Sequence, residues 1–131
     1  MNYRTRKMIM PRDLNGAHHL FGGRALAWID EECAVFAACQ LKSSNLVTKF
    51  ISSIDFKAPG CVGDIVEIGC RLVKFGRTSI TVACTIRNKT TKEEIVAVQS
   101  IVFVLLDEHG RPKEHGITEE TVDIIEETVD G

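Results

Sequence analysis

The stretch GGRALAWIDEECAVFAACQL, residues 22–41, is the strongest helical pattern in the chain. Because alanines fill much of the space between its larger apolar residues, this helix is apolar nearly all round, and we predict that it is buried at the centre of the fold. One carboxylate, Asp30, lies in the middle of it. The residues that recur at helical spacing are Leu26, Ile29, Cys33, Phe36 and Gln40.

From Asn45 onward the apolar period changes from helical spacing to two, which is typical of half-buried antiparallel strands. A short strand around Tyr3–Met10 precedes the helix, and an irregular loop runs from Pro11 through His19. We therefore expect an α+β fold in which an antiparallel sheet of about five strands wraps one long central helix. The later strands, in a meander, are predicted at 46–56, 64–76, 78–88 and 94–106.

Length and composition indicate a single domain and exclude several functional classes. The chain has 131 residues and a formal net charge of −2, which gives no general electrostatic reason to bind nucleic acid or an anionic membrane. Its 5 cysteines form no CxxC pair and are typical of reduced core residues in a cytoplasmic protein. We expect no metal site, no bound cofactor and no membrane segment.

Asp30 has two interpretations from the sequence alone. On a helical wheel, the arc around it is uncharged and mostly small. Such a carboxylate can cap a neighbouring loop by accepting backbone N–H groups. It can also act as a general base or nucleophile in a narrow apolar cleft. The residues that share its arc are Gly23, Leu26, Ala27, Cys33, Ala34 and Ala37.

The start of the helix, Phe21-Gly22-Gly23, exposes backbone N–H groups with little side chain around them. These N–H groups and the helix dipole can receive negative charge that develops on a carbonyl oxygen, as an oxyanion hole does. Asp30 follows Gly23 by two turns on the same side, about 10 Å along the axis. One acyl group can reach both only if a neighbouring chain or a bend helps.

Taken together, MPRDLNGAHHLFGGRALAWID (10–30), FKAPGCVGDIVEIGCRLVKFGRTSITV (56–82) and DEHGRP (107–112) resemble the hotdog-fold acyl-CoA thioesterases, in particular the broad-range acyl-CoA hydrolases. The resemblance implies a hotdog domain over residues 1–116, followed by an acidic tail over 117–131. It also implies hydrolysis of acyl-CoA at the interface of a homodimer, often within a trimer of dimers. CoA is then part of the substrate rather than a cofactor.

The resemblance also implies roles for individual residues. Asp30 would activate water or attack directly, Asn15 from the opposite subunit would orient the water or the thioester carbonyl, and the Gly23 N–H would hold the oxyanion. Phe21 and Gly22 would contact the substrate beside it. The pantetheine and nucleotide of CoA would lie near a turn, where the candidate residues are Lys74, Gly76, Arg77, Thr78 and Ser79.

One position departs from the family pattern. Relatives usually carry glycine three residues after the asparagine, and this chain has His18 there. His18 could clash with the usual loop path, or it could supply an extra donor or base. The alternative function is therefore a non-catalytic acyl-CoA-binding or sensing domain. A dehydratase is disfavoured because the helix contains no histidine.

Overall fold

A computed structural model describes residues 1–121 and contains one long helix and six strands. The helix α1 spans Gly22–Leu41, as the periodicity predicts. It ends where Lys42 adopts a left-handed backbone and donates its N–H to the carbonyl of Ala38. The strands are β1 (Asn2–Met8), β2 (Leu46–Ile51), β3 (Ile54–Phe56), β4 (Ile65–Phe75), β5 (Ser79–Asn88) and β6 (Glu94–Leu105), and a short 3-10 turn covers Pro11–Asp13.

The sheet is antiparallel, and its strand order is β1-β4-β5-β6-β2. The predicted four-strand meander is therefore wrong for its first member. Only β4, β5 and β6 follow one another across the sheet, whereas β2 lies at the far edge beside β6. Alternating apolar residues predict that a segment is a strand, but they do not specify which strand it pairs with.

The predicted strand at 46–56 is divided into β2 and β3, which raises the strand count from about five to six. Both pieces pair with β6. At the break, the N–H of Ser52 donates to the carbonyl of Ser100, and the N–H of Ser100 donates to the Ser52 hydroxyl. These contacts come from a distant strand, so local sequence does not reveal the break.

The helix packs one side against the sheet and leaves the other side open. Ile29, Cys33 and Ala37 are fully buried in the core. The prediction that the helix is buried nearly all round is wrong for a single chain, because an exposed stripe recurs every fourth residue. This stripe consists of Gly23, Ala27, Glu31, Val35 and Cys39.

The convex face of the sheet carries one buried carboxylate, Glu67 on β4. Its oxygens lie 3.1 Å from the Arg87 guanidinium, 3.2 Å from the Lys92 ammonium and 3.5 Å from the Arg6 guanidinium. Burial raises the pKa of Glu67, but the hydrogen bonds and charges of Lys92 and Arg87 outweigh it, so the pKa is lower than its ordinary value. This cluster ties β1, β4 and β5 together.

Beyond β6 the chain returns across the domain. Ile117 packs against the core, and the backbone of Thr121 exchanges hydrogen bonds of 2.7 and 3.1 Å with the Gln40 side chain. Most of the predicted acidic tail, 122–131, lies outside the described residues. Within residues 1–121, no helix is both long and apolar enough to cross a bilayer.

Candidate functional site

Asp30 is half-buried and faces the edge strand β2. The Thr48 hydroxyl donates to its Oδ1 at 2.9 Å. Within residues 1–121 no other hydrogen bond reaches Asp30, so Oδ2 is open and no backbone N–H is capped. Within residues 1–121 Asp30 is therefore not a loop cap, and its carboxylate is held at one oxygen while the other has no hydrogen-bond partner.

A cavity of about 250 Å³ lies between α1 and β2, and Asp30, which does not line it, is connected to it through one side chain. The Thr48 side chain joins the two, because it lines the cavity and also binds Asp30. Trp28, Phe36 and Leu26, three large apolar residues of the helix, do not line it; Trp28 is a core residue. The lining residues are Ala34, Val35, Ala38, Ser44, Leu46, Thr48 and Phe103.

Asn15 lies at the tip of the loop that precedes the helix. Its Oδ1 accepts the N–H groups of Ala17 at 2.8 Å and His19 at 3.1 Å. Because both donors are backbone N–H groups, the oxygen must point into the loop, and the exposed Nδ2 is left as a donor. In the described chain no hydrogen bond joins Asn15 to Asp30, so one protomer does not assemble this pair.

Asp13 holds this loop in place, a role that was not predicted from the sequence. Asp13 is buried, its Oδ2 accepts the Met10 N–H at 2.8 Å, and its Oδ1 lies 3.3 Å from the Arg24 guanidinium. Its carbonyl accepts the Phe21 N–H at 2.8 Å. The signal that could have revealed it is an acidic residue two positions after Pro11, where a side chain can cap a short turn.

His18 has a left-handed backbone, with φ of 64°. This is the conformation that glycine adopts without steric cost, which explains why a glycine suits this position. The His18 N–H donates to the Asn15 carbonyl at 3.0 Å, which closes the loop in this conformation. The His18 side chain is exposed.

The start of the helix provides two unpaired donors. The N–H groups of Arg24 and Ala25 both donate to the Phe21 carbonyl at 3.0 Å. Those of Gly22 and Gly23 have no partner within residues 1–121. The Phe21 ring covers Gly23 so closely that an added Cβ would lie 2.9 Å from it. The arrangement can stabilise an oxyanion on the side that Phe21 leaves open.

The predicted CoA turn lines a larger cavity, of about 800 Å³, with Lys74, Gly76 and Arg77 on one wall. Gly76 donates its N–H to the Ser79 carbonyl at 2.9 Å, and an added Cβ would collide with the Ser79 Oγ, so a side chain at this position would require the Ser79 hydroxyl to turn away. The Thr78 carbonyl accepts the Leu105 N–H at 2.8 Å.

Arg77 is not a free cation. Its Nε lies 3.1 Å from the Glu114 carboxylate, which belongs to the segment that forms the opposite wall of the larger cavity. Both side chains are largely exposed. A phosphate that binds Arg77 must therefore compete with Glu114.

The strand register places the two cavities at the same end of the sheet. Thr48 pairs with Phe103, and Phe103 pairs with Ile80, the residue after Ser79. Thr48 and Ile80 are thus two strand spacings apart, about 10 Å.

The family model for the thioesterase superfamily matches residues 17–95, which include Asp30, the helix start and the turn at 76–79. This chain belongs to the thioesterase superfamily.

Individual relatives of this thioesterase are acyl-CoA hydrolases. It is 36% identical over 110 residues to an uncharacterized acyl-CoA thioester hydrolase of Zymomonas mobilis, a match that covers 82% of this chain and 73% of the relative. A hexameric thioesterase from Yersinia pestis superposes with a TM-score of 0.78 at 26% identity, over 86% of this chain and 93% of that one. The expected hotdog fold is confirmed.

A third relative carries ligands. An acyl-CoA hydrolase from Staphylococcus aureus, solved with butyryl coenzyme A, coenzyme A and coenzyme A disulfide, superposes with a TM-score of 0.79 at 29% identity. The match covers 92% of this chain and 72% of that one. The same hydrolase has been solved with an aspartate replaced by alanine and with an asparagine replaced by alanine.

Proposed function

We propose that this thioesterase hydrolyses acyl-CoA thioesters to a free acid and CoA, with Asp30 as the catalytic carboxylate. The observation that carries the proposal is the Asp30 carboxylate, which Thr48 fixes at Oδ1 and connects to the 250 Å³ cavity and which is open at Oδ2. The proposal is supported by the S. aureus hydrolase, in which an aspartate and an asparagine, the residue types of Asp30 and Asn15, have each been replaced by alanine.

The chemistry requires a nucleophile, a stabilised oxyanion and a leaving thiolate. Asp30 takes a proton from water as the water attacks the thioester carbonyl, or Asp30 attacks the carbonyl itself and water then cleaves the resulting anhydride. The unpaired Gly23 N–H receives the oxyanion, and the Asn15 Nδ2 donates to the carbonyl or the water. The C–S bond breaks, and CoA leaves after taking a proton. No metal or bound cofactor takes part.

A second copy of the chain completes the site in this proposal. The strands β2 and β3 and the neighbouring start of the helix expose large apolar side chains, with Phe21, Phe50 and Phe56 each more than half exposed. A monomer rarely leaves such a surface beside an unpaired strand edge in water. Pairing β2 with β2 of a partner covers it and brings Asn15 of one protomer to Asp30 of the other. Trimers of such dimers correspond to the hexamer of the Y. pestis relative.

The CoA end of the substrate extends toward the larger cavity. Lys74 and Arg77 on its wall meet the phosphates, and the turn at Gly76, Thr78 and Ser79 supports the pantetheine. An acyl-CoA substrate also agrees with the cytoplasmic location expected from the reduced cysteines. Fractionation of cells that express the tagged chain tests that location.

Thiol release from a panel of acyl-CoA esters tests the proposal. Asp30→Asn is the informative variant because its amide oxygen still accepts the Thr48 hydroxyl, so the local packing is retained. We expect the hydrolysis rate to fall by about 10²–10⁴-fold. Thr48→Val removes only the positioning bond and is expected to lower kcat by about tenfold. Full activity of Asp30→Asn would contradict the assignment of Asp30.

The same assay separates the alternatives. A non-catalytic acyl-CoA-binding domain predicts saturable binding with negligible thiol release from the unaltered chain at every acyl length. A dehydratase predicts loss of water from a hydroxyacyl-CoA without release of CoA. Trapping an acyl-enzyme anhydride distinguishes direct attack by Asp30 from activation of water.

A further inference from the structure

Three cysteine side chains from different elements meet in the core behind the helix. Cys33 comes from α1, Cys70 from β4 and Cys84 from β5, and their sulfur atoms all lie within 4.8 Å of one another. The Cys33 and Cys70 sulfurs are 3.7 Å apart. Cys33 and Cys84 are completely buried, and Cys70 is 5% exposed. The other two cysteines, Cys39 and Cys61, are exposed, so the expectation of a core position is wrong for them.

The sulfur spacing is close to that of three thiolates around one central atom. A central atom bonded to three sulfurs at about 2.3 Å, the length of a Zn–S bond, holds them roughly 3.4–3.6 Å apart in a pyramidal arrangement and about 3.8–4.0 Å apart in tetrahedral or trigonal geometry. The observed separations, 3.7 Å for one pair and under 4.8 Å for all three, need only small rotations of the side chains to reach this range.

Charge decides which central atom suits the cluster. Hydrogen bonds from the other two thiols, together with burial, raise the pKa of Cys33. At Cys84 the contact with Cys33 lowers the pKa, but the contact with Cys70, burial and the charge of Glu32 outweigh it and raise the pKa. Hydrogen bonds from Cys33 and Cys84 lower the pKa of Cys70. Three neighbouring thiolates are therefore disfavoured in this core, since the pKa of two of the thiols is raised.

The apolar surroundings therefore favour a ligand whose complex with the three cysteine sulfurs carries no net charge. Zinc(II) or copper(I) bound by three thiolates carries a net negative charge, which is costly in an apolar core. Trivalent arsenic bound by three thiolates carries no net charge. Arsenic also prefers soft sulfur ligands, and it reacts with protonated thiols without requiring all three to ionise first.

We infer that Cys33, Cys70 and Cys84 form a binding site for trivalent arsenicals, with arsenous acid as the simplest ligand. Three As–O bonds break, three As–S bonds form, and each thiol proton leaves with a hydroxide as water. The arsenic keeps its oxidation state, so no oxidant or reductant takes part. Cys70 reacts first because it is the slightly exposed member of the cluster. The product covalently joins α1 to β4 and β5.

The test uses the full-length, reduced protein in its native oligomer, incubated with sodium arsenite and freed of excess reagent. Mass spectrometry is expected to show one arsenic atom per chain with the loss of three hydrogens. The thermal midpoint is expected to rise by about 5 °C, because the crosslink restrains the unfolded chain. X-ray absorption is expected to show three sulfur ligands on arsenic. An unmodified mass, or arsenic that keeps oxygen ligands, would overturn the inference.

Two sets of variants locate the site. The exposed-thiol variant Cys39→Ala/Cys61→Ala is the matched control and is expected to bind arsenic as the unaltered chain does. Cys84→Ala leaves two thiols of the cluster and is expected to bind at least about 100-fold more weakly. If Cys84→Ala does not fold, the absorption spectrum of the exposed-thiol variant still decides, because only the buried cluster can then supply three sulfurs. Loss of binding in the exposed-thiol variant refutes the site.

Discussion

Replacing His18 by glycine is expected to stabilise the protein without changing its activity. His18 has a φ of 64°, in the region where a Cβ crowds the following carbonyl. Its own N–H donates to the Asn15 carbonyl at 3.0 Å, and glycine keeps this bond. The substitution therefore removes backbone strain from the loop that carries Asn15 and takes away only an exposed side chain.

The expected change in the free energy of unfolding is the difference between two opposing contributions. A left-handed backbone costs a non-glycine residue about 1–2 kcal/mol. Glycine gives back about 0.4–1 kcal/mol, because it increases the conformational entropy of the unfolded chain. The free energy of unfolding is therefore expected to rise by about 0.5–1 kcal/mol, and the thermal midpoint by about 2–4 °C.

Thermal and urea unfolding at one protein concentration measure the effect, because oligomerisation makes the midpoint concentration-dependent. His19→Gly is the matched control, since His19 is exposed and lacks a positive φ; it is expected to destabilise the protein by about 0.5–1 kcal/mol. Destabilisation by His18→Gly would refute the strain argument. A loss of hydrolysis by more than about tenfold would instead show that the His18 side chain takes part in the reaction.

Three further changes probe the cavities and the convex face. Ala34→Leu fills part of the 250 Å³ cavity. It is expected to lower the hydrolysis rate of octanoyl-CoA about tenfold more than the hydrolysis rate of acetyl-CoA. Equal losses for the two substrates would place the acyl chain elsewhere. Glu114→Gln frees Arg77 and is expected to lower the KM for acyl-CoA about twofold to fivefold, an advantage that disappears in high salt; an unchanged KM argues against a phosphate at Arg77. Glu67 has a pKa below its ordinary value of 4.5, so its ion pairs contribute stability above about pH 4.5 that is lost as the pH falls through the lowered pKa. Urea unfolding should therefore show a stability deficit of Glu67→Gln at neutral pH that shrinks in acid, and a deficit that is constant with pH contradicts this linkage.

The helix and the type of each long strand were predictable because they depend on local periodicity. The spacing of apolar residues over 22–41 is strong enough to define α1 at both ends. The break at Ser52–Ser53 and the pairing of β2 with β6 were not predictable, because both depend on contacts with residues about fifty positions away, such as Ser100.

Some residues of the candidate site could likewise be predicted from the sequence, and others could not. Asp30 could be identified because a carboxylate in an apolar helix is unusual, and the glycines at the helix start because of their position. Thr48 could not, since its sequence neighbours on an exposed edge strand give no sign that its hydroxyl meets Asp30. The cluster of Cys33, Cys70 and Cys84 is hidden for the same reason, because three separate elements bring its members together.

Subunit complementation tests the central claim, an interface site that takes Asp30 from one protomer and Asn15 from the other. Asp30→Asn and Asn15→Ala chains, each inactive alone, are co-expressed in equal amounts and purified together. In a mixed dimer one site has both native residues and the other has neither, so random pairing is expected to restore about a quarter of the activity of the unaltered protein. Activity no greater than that of either variant alone would contradict a site shared between protomers.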